Sequence, residues 1–299
     1  VGMAMLSQPA RGLGTLNAVV QEGMSALERV FDVLDRQPSI TDAPGAKALR
    51  VTSANAPTVV FDKVTFGYGE APVIRDFSLT IPSGSTVALV GPSGAGKSSV
   101  FNLIPRLYDP QRGDILIDGQ PIKTATVQSV RDQIALVSQD AILFDDSVGE
   151  NIRFGQATAS QDQMITAAKA AAAHDFIAAL PEGYGQRVGE GGSALSGGQR
   201  QRVALAFLKD APILLLDEAT AALDAESERL IEEALGRLAK GRTTLVIAHR
   251  LSTVRHADVI CVMDKGQIVE QGDHDALLAQ GGLYARLVSL QFREEEAPV

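Results

Sequence analysis

The strongest constraint on the fold is the segment Gly91-Pro92-Ser93-Gly94-Ala95-Gly96-Lys97-Ser98, called here the phosphate loop. It follows the apolar run at residues 87–90 and leads into Ser99 and a helix-forming stretch. Its spacing of a glycine, four residues, a glycine, a lysine and a serine lets backbone N–H groups converge on phosphate oxygens. The alternative is a glycine-rich turn before a helix. Because the required strand and helix patterns flank the loop, the sequence predicts a polyphosphate site.

Two side chains of the phosphate loop carry the predicted chemistry. We expect Lys97 to bridge the β- and γ-phosphates as a mobile charge, and the Ser98 hydroxyl to complete the coordination of Mg²⁺. The helix that starts there adds the positive end of its dipole. The residues predicted to contact the nucleotide are Gly91, Pro92, Ser93, Gly94, Ala95, Gly96, Lys97, Ser98 and Ser99.

Composition excludes several classes of function. The chain has 299 residues, 45% of them hydrophobic, which is enough to bury a sizeable core. Its 36 acidic residues outnumber its 27 basic ones, and the net charge of -9 argues against a nucleic-acid partner. No apolar stretch approaches the roughly 20 residues that span a bilayer, so the chain alone is expected to be soluble. Cys261 lies in an apolar run and is predicted to be buried, without a redox role.

The N-terminal region is predicted to be separate from the main domain. Apolar residues recur every three or four positions from Leu13 to Leu34, which indicates an amphipathic helix over residues 1–36 that ends before Pro38. Such a helix usually packs on its own domain. Residues 37–57 are rich in Pro, Ser, Thr, Asn, Asp, Ala and Gly, and are predicted to be a linker to a main domain over residues 58–299.

The main domain is predicted to be α/β. Short β-prone segments bounded by turn signals are expected to form an antiparallel β subdomain: residues 59–66, 77–81 and 115–117. Apolar runs separated by helical stretches are expected to form a mixed, mostly parallel core sheet: residues 87–90, 134–137, 213–216, 244–248 and 259–263. From about residue 140 to 210 the pattern predicts an inserted all-helical subdomain, in which Ser160 and Gln163 form a capping box ahead of an alanine-rich run to Leu180.

Two adjacent carboxylates end the apolar run at residues 213–216. We expect Asp217 to hold Mg²⁺, often through water, and Glu218 to orient and polarise the water that attacks the γ-phosphate. Acidic residues often simply end a strand, so this assignment depends on the intact phosphate loop.

A second anion site is predicted at Leu195-Ser196-Gly197-Gly198-Gln199, where Ser196 and the glycines open a helix with hydroxyl and backbone donors. Its position between the phosphate loop and Asp217 resembles the signature of ATP-binding cassette (ABC) proteins. The resemblance implies a P-loop NTPase core that binds ATP and Mg²⁺. It also implies two cassettes packed head to tail, so that the signature of each contacts the γ-phosphate held by the other. The signature residues concerned are Ser196, Gly197, Gly198 and Gln199.

The resemblance extends to single residues. Tyr68 matches the aromatic residue that stacks on adenine, and Gln139 matches the glutamine that contacts Mg²⁺ and water. His249 matches the histidine that contacts the γ-phosphate, which makes Lys97, Gln139, Glu218 and His249 the implied catalytic set. Asp224 matches the residue that communicates across the dimer, although Ala221 stands where the family more often has serine.

Within the family, the chain is similar to exporters that fuse the cassette after a membrane domain, such as lipid flippases and multidrug exporters. The similarity covers roughly residues 58–292 and includes Arg106-Leu107-Tyr108-Asp109-Pro110. Residues 26–31 look like the segment after an exporter's last transmembrane helix. The resemblance implies paired cassettes at the cytoplasmic face of the inner membrane. Every active-site element is present in this one chain, which favours a homodimer, and a heterodimer is the alternative. The resemblance also implies a membrane domain whose coupling helices contact Glu190.

One departure keeps other interpretations open. After Ala206 the family usually has two further residues, whose loss would rotate the rest of a helix by about 200° and shorten it by about 3 Å. Either a loop at residues 209–212 absorbs the change or the recorded sequence lacks two residues. The leading interpretation is a transport-coupled, Mg²⁺-dependent ATPase. The alternatives are an ATP-gated dimerisation module with little turnover and a soluble ABC ATPase outside transport.

Overall fold

The computed structural model describes residues 2–51, 56–138, 141–206, 211–217, 225–248 and 251–295. The chain divides into two compact units, Val1–Thr41 and Asp42–Val299. Helix α1 (Gly2–Leu34) forms the first unit and ends before Pro38, as the periodicity predicts. Its apolar side chains Met24, Leu27 and Phe31 are exposed.

Part of the predicted linker is bonded within the second unit. The Val127 amide donates to the Asp42 carboxylate at 2.7 Å, and the Leu49 amide donates to the Ser129 hydroxyl at 2.8 Å. The domain limits at residues 36 and 57 stay predictions.

Two sheets and a set of helices build the second unit. The strands in the described residues are β1 (Val59–Phe66), β2 (Ile74–Ile81), β3 (Thr86–Val90), β4 (Arg112–Ile117), β5 (Gln120–Pro121), β6 (Ile134–Val137), β7 (Ile213–Asp217), β8 (Thr243–Ile247), β9 (Val259–Asp264) and β10 (Gln267–Gly272). The helices that follow α1 in the described residues are α2 (Lys97–Leu103), α3 (Val127–Asp132), α4 (Val148–Arg153), α5 (Gln161–Ala170), α6 (His174–Ala179), α7 (Gly197–Ala206), α8 (Ala225–Ala239), α9 (Leu251–Arg255), α10 (His274–Gln280) and α11 (Leu283–Glu295).

The strand predictions are confirmed, and the pairing shows how the sheets are built. An antiparallel sheet has the order β2-β1-β4-β5, and the core sheet has the order β10-β9-β3-β8-β7-β6. In the core sheet, β3 is parallel to β8 and β9, and β7 is parallel to β6 and β8. Only β10 runs antiparallel among the described core strands, so the sheet is mixed and mostly parallel.

The core sheet is covered on both faces, which explains its nearly continuous apolar strands. Val87 and Leu89 of β3 pack with α2 and the antiparallel sheet. The alternate residues Ala88 and Val90 pack toward the helical region and α8. Successive side chains of a strand point to opposite faces, so one strand joins both halves of the core.

The helical subdomain is an insertion, as predicted. Helices α4 to α7 lie in the chain between β6 and β7, which are neighbouring strands of the core sheet. The capping box that opens α5 is present, because Ser160 Oγ accepts from the Gln163 amide and the Gln163 side chain accepts from the Ser160 amide.

The alanine-rich run to Leu180 is not one helix, because the chain turns at Ala172, whose φ is 52°. The Ala173 amide donates to the Ala168 carbonyl at 2.7 Å, and the Ala172 amide donates to the Lys169 carbonyl at 3.1 Å. This pair of bonds is a Schellman motif, whose left-handed position is usually glycine. Arg202 stabilises the turn by donating to the Ala172 carbonyl at 3.0 Å.

We expect Ala172→Gly to raise the free energy of unfolding by about 0.5–1 kcal/mol, because glycine adopts the left-handed conformation without the steric cost that alanine carries. Urea unfolding of the purified chain measures this change. Ala170→Gly in the last turn of α5 is the matched control, and it should destabilise the chain by about 1 kcal/mol. Equal destabilisation by both substitutions would contradict the prediction.

Candidate nucleotide site

The phosphate loop curves tightly between β3 and α2. Gly91 has a φ of 153°, and a Cβ there would lie 2.2 Å from the Met263 carbonyl oxygen. Gly96, with a φ of 102°, directly precedes α2. Side chains at these two positions would strain the turn, so the loop requires its glycines. Ser93, Gly94 and Ser98 are exposed, and Ala95 and Ser99 are buried.

Lys97 is directed back into the loop. Its side chain is only 7% exposed, and its ammonium group donates to the carbonyl of Gly91 at 2.7 Å and to that of Pro92 at 3.1 Å. The loop therefore brings a positive charge and the N-terminal amides of α2 to one place, and both favour bound anions.

Asp217 lies at the same edge of the sheet as the phosphate loop. It pairs with Ile247 of β8, and Ile247 pairs with Leu89 of β3, two residues before the loop. Two strand spacings, about 9.5 Å, separate these levels of β7 and β3. Ligands of open α/β sheets bind at the carboxyl ends of the strands, which is where this arrangement places both groups.

The turn that carries Tyr68 lies beside the phosphate loop. The Val73 amide donates to the Phe66 carbonyl at 2.8 Å and closes the turn between β1 and β2. The Val73 carbonyl lies 3.5 Å from the position that a Cβ of Gly96 would take. Tyr68 is 55% exposed, so its ring is available for stacking close to the predicted phosphate position.

The signature segment forms the start of α7. Ser196 and Gln199 form a reciprocal cap, because Ser196 Oγ accepts from the Gln199 amide at 3.3 Å and the Gln199 side chain accepts from the Ser196 amide at 3.0 Å. Ser196 is exposed and Gly197 is partly exposed, whereas Gly198 is buried. The predicted second helix N-terminus is therefore present.

With this geometry in place, comparison with known proteins identifies the chain. Residues 74–221, which contain the phosphate loop, the signature segment and Asp217, match the ABC transporter family. The chain belongs to this family.

Relatives in the ABC transporter family align over nearly the whole chain. The ATP-dependent lipid A-core flippase of Syntrophus aciditrophicus is 49% identical over 296 residues, which are 98% of this chain and 49% of the flippase. The flippase of the same name from Xanthomonas oryzae pv. oryzae is 51% identical over 290 residues, 95% of this chain and 48% of that protein. The chain thus spans about half the length of the curated relatives it matches.

A solved structure agrees with this fold. The structure of a bacterial Atm1-family ABC exporter with ATP bound matches this chain with a TM-score of 0.83 and 45% sequence identity. The match covers 93% of this chain and 49% of the exporter chain. The α/β fold with its antiparallel sheet and inserted helices is that of an ABC ATPase. Among the described residues, no helix has the length and hydropathy needed to cross a membrane.

Several residues that the resemblance to ABC proteins predicts lie outside the described part of the chain. These are Gln139, Glu218, Ala221, Asp224 and His249, together with residues 207–210, which follow the position of the expected two-residue gap. The described chain ends one residue before three of them, at Ser138, Asp217 and Ala248. The Ala248 amide donates to the Leu89 carbonyl at 3.1 Å, so the residue before His249 lies beside β3.

The structure adds one residue that the sequence patterns did not single out. Arg200 of α7 donates to the Leu195 carbonyl at 2.8 Å and packs on Gly192, where a Cβ would lie 2.7 Å from Arg200 Cδ. Arg200 therefore holds the loop that precedes the signature segment. Glu190 is exposed in that loop. The sequence offered one signal for this role of Arg200, namely an arginine one turn into a helix that begins with glycines. Arginines at such positions are common on protein surfaces.

Other chemically active side chains have structural surroundings. Cys261 is fully buried in β9, and burial raises the pKa of its thiol to about 12, which keeps it protonated at neutral pH. His174 is bonded to the Tyr184 hydroxyl at 2.9 Å and His274 to the Tyr284 hydroxyl at 2.7 Å. Both histidines join neighbouring segments of the fold.

Proposed function

We propose that this chain is the ATPase domain of an exporter. It binds ATP with Mg²⁺, converts ATP and water to ADP and phosphate, and acts as a head-to-tail homodimer. One observation carries the proposal. The phosphate loop with the charge of Lys97 follows the carboxyl end of β3, and the carboxylate of Asp217 lies at the carboxyl end of β7 in the same sheet.

Binding of the triphosphate follows from the loop. The phosphates accept hydrogen bonds from loop amides and from the first turn of α2, and Lys97 exchanges its bonds to the Gly91 and Pro92 carbonyls for bonds to the β- and γ-phosphates. Tyr68 stacks on the adenine base from the adjoining turn.

The residues near the loop suit Mg²⁺. Ser98 offers an exposed hydroxyl in the first turn of α2, and Asp217 offers a carboxylate at the end of β7. Hydroxyl and carboxylate oxygens are ligands that Mg²⁺ prefers, often with waters between the ion and the protein. A bound Mg²⁺ would neutralise phosphate charge, and Ser98, Gln139 and Asp217 would hold it.

Hydrolysis needs few covalent steps from the protein. Glu218 orients the water that attacks the γ-phosphate, and Gln139 and His249 contact the reacting groups. Lys97 stabilises the charge that spreads over the phosphate oxygens in the transition state. The roles of Gln139, Glu218 and His249 are proposed from the ABC resemblance.

The signature segment supplies the partner's share of the site. Ser196 Oγ accepts from the Gln199 amide, so its hydroxyl hydrogen can donate to an anion in front of α7. In a head-to-tail pair, each signature closes over the γ-phosphate held by the other chain, with Ser196, Gly197, Gly198 and Gln199 as the contacting residues.

The proposed cargo is an amphiphile such as a lipid, since the flippases above are named for lipid A-core. The membrane domain would be the remaining half of a longer chain or an associated subunit, at the cytoplasmic face of the membrane. Its coupling helices would contact Glu190, which is exposed in the loop before the signature segment.

Mixing two inactive variants tests the shared site. Lys97→Ala removes the charge of the loop, and Ser196→Phe blocks the signature, so each variant alone should hydrolyse ATP at background rate. In an equimolar mixture each mixed pair has one intact composite site, which can bind ATP and drive pairing. Phosphate release at saturating protein concentration should therefore rise from background to about a quarter of the wild-type rate if the chains pair at random, and to about half if only mixed pairs form.

The matched control is a chain that carries both substitutions, mixed equally with each single variant. No pair in these mixtures has an intact composite site, so phosphate release should stay at background. Background release in the first mixture would contradict the head-to-tail proposal, and so would equal recovery in a control mixture.

A further inference from the structure

Three aromatic rings form a cluster at the base end of the proposed site. Phe66, Tyr68 and Tyr108, called here the ring cluster, contact one another in a closed triangle. The Tyr68 ring is 5.0 Å from Phe66 at 80° and 5.0 Å from Tyr108 at 87°, both T-shaped, and Phe66 is 5.5 Å from Tyr108. Phe66 is buried, whereas both tyrosines are exposed. The cluster thus has one buried ring, Phe66, and two accessible rings.

The backbone before Tyr108 is held in a costly conformation. Arg106 has a φ of 51°, and the Leu107 amide donates to the Asn102 carbonyl while the Arg106 amide donates to the Leu103 carbonyl, both at 3.2 Å. These bonds are a Schellman motif after α2, with arginine at the position that glycine usually takes. A left-handed arginine costs about 1–2 kcal/mol, so other contacts must offset it.

The Arg106 side chain provides those contacts. Its guanidinium group is 2% exposed and donates to both carboxylate oxygens of Asp109, at 3.0 and 3.1 Å. It also donates to the carbonyls of Ile122 and Ala125, at 3.2 and 3.1 Å. An ion pair together with hydrogen bonds to backbone carbonyls is one of the few ways to bury this charge. Tyr108 lies between the two bonded residues, so the ion pair fixes the backbone that carries its ring.

From this arrangement we propose that Tyr108 is a positioning residue for the nucleotide base. Its T-shaped contact holds the Tyr68 ring in one orientation and thereby prepares it to stack on adenine. The inference rests on the proposed function, in which Tyr68 binds the base of ATP. The segment that bears Tyr108 follows α2, and the first turn of α2 is the proposed phosphate site. The contact between Tyr108 and Tyr68 therefore connects the proposed phosphate site with the proposed site of the adenine base.

The contact with Tyr108 orders the Tyr68 ring in the free protein. An exposed tyrosine has several side-chain orientations, and binding must restrict it to one, which weakens affinity. A T-shaped aromatic pair is worth about 0.5–1.5 kcal/mol beyond its buried area, enough to favour one orientation before the base arrives. Loss of the Tyr68–Tyr108 contact should therefore weaken binding of the adenine base and leave binding of the phosphates unaffected.

The experiment compares wild type, Tyr108→Ala and Tyr108→Phe in the purified chain, with Kd measured by calorimetry for ATP and for inorganic tripolyphosphate. Tyr108→Ala should bind ATP roughly threefold to tenfold more weakly, with tripolyphosphate affinity unchanged. Tyr108→Phe should match wild type, because the hydroxyl makes no hydrogen bond within the described part of the chain. Thermal unfolding of each variant accompanies these measurements.

The outcomes separate this inference from the proposed function. Equal loss of ATP and tripolyphosphate affinity in Tyr108→Ala, or unchanged affinity for both, would overturn the positioning role. Failure of Tyr108→Phe to restore ATP affinity would overturn it as well, because the ring contact would then not be the cause. Wild-type chain that binds neither ligand would contradict the proposed function itself, and this inference with it.

Discussion

Glu218→Gln should leave ATP binding intact and reduce steady-state hydrolysis by at least about a hundredfold, because removing a general base typically costs two to four orders of magnitude. Glutamine keeps the size of the side chain but cannot polarise the attacking water. ATP that is bound and not hydrolysed keeps both phosphate loops and both signatures engaged. We therefore expect a stable ATP-bound dimer, measured by phosphate release and by size-exclusion chromatography with Mg²⁺ and ATP.

The control for this variant is Glu226→Gln in the first turn of α8. Glu226 is exposed and undergoes the same chemical change, so its substitution should leave turnover and pairing unaltered. Hydrolysis by Glu218→Gln at the wild-type rate would contradict the assignment of Glu218 as the residue that orients the attacking water.

Lys97→Ala should abolish both ATP binding and ATP-driven pairing. The substitution removes a charge that is nearly buried inside the loop and can form two charge-assisted bonds to phosphate. Charged hydrogen bonds contribute about 1.5–3 kcal/mol each, so the Kd for ATP should rise by about a hundredfold or more. Calorimetry measures the affinity, and light scattering with ATP measures the pairing.

Lys169→Ala, an exposed substitution in α5, is the matched control and should leave affinity and pairing unchanged. Comparison of thermal unfolding shows whether Lys97→Ala remains folded. Pairing of Lys97→Ala in ATP, after its nucleotide affinity has been lost, would mean that the phosphate loop does not control dimerisation.

Much of the local backbone geometry could be predicted because its signals are local. The glycines of the phosphate loop, the apolar strand before it and the Ser160 capping box each act within one turn or one loop, and neighbouring residues decide them. The signature segment is also local, since Ser196 caps the helix that it opens. For the same reason the periodicity of α1 gave its end before Pro38.

Local patterns failed where a distant residue decides the conformation. The run from Gln161 to Leu180 has helical composition throughout, yet it turns at Ala172, where Arg202 binds the carbonyl from another helix. The edge strand β10 was missed because its exposed and half-buried alternation depends on pairing with β9. An arginine in the left-handed region, as at Arg106, has no sequence signal because its partners lie as far away as Ala125.

By itself, the sequence determined the class of protein, the phosphate loop and the opening of the signature helix, because backbone geometry at glycines and helix caps depends on adjacent residues. Only the tertiary structure decided the strand order that places Asp217 two strands from the phosphate loop. It also decided the contact of Tyr68 with Tyr108, forty residues apart in the chain. Strand order and ring contacts join distant segments, and they are selected by packing of the whole core rather than by local preference.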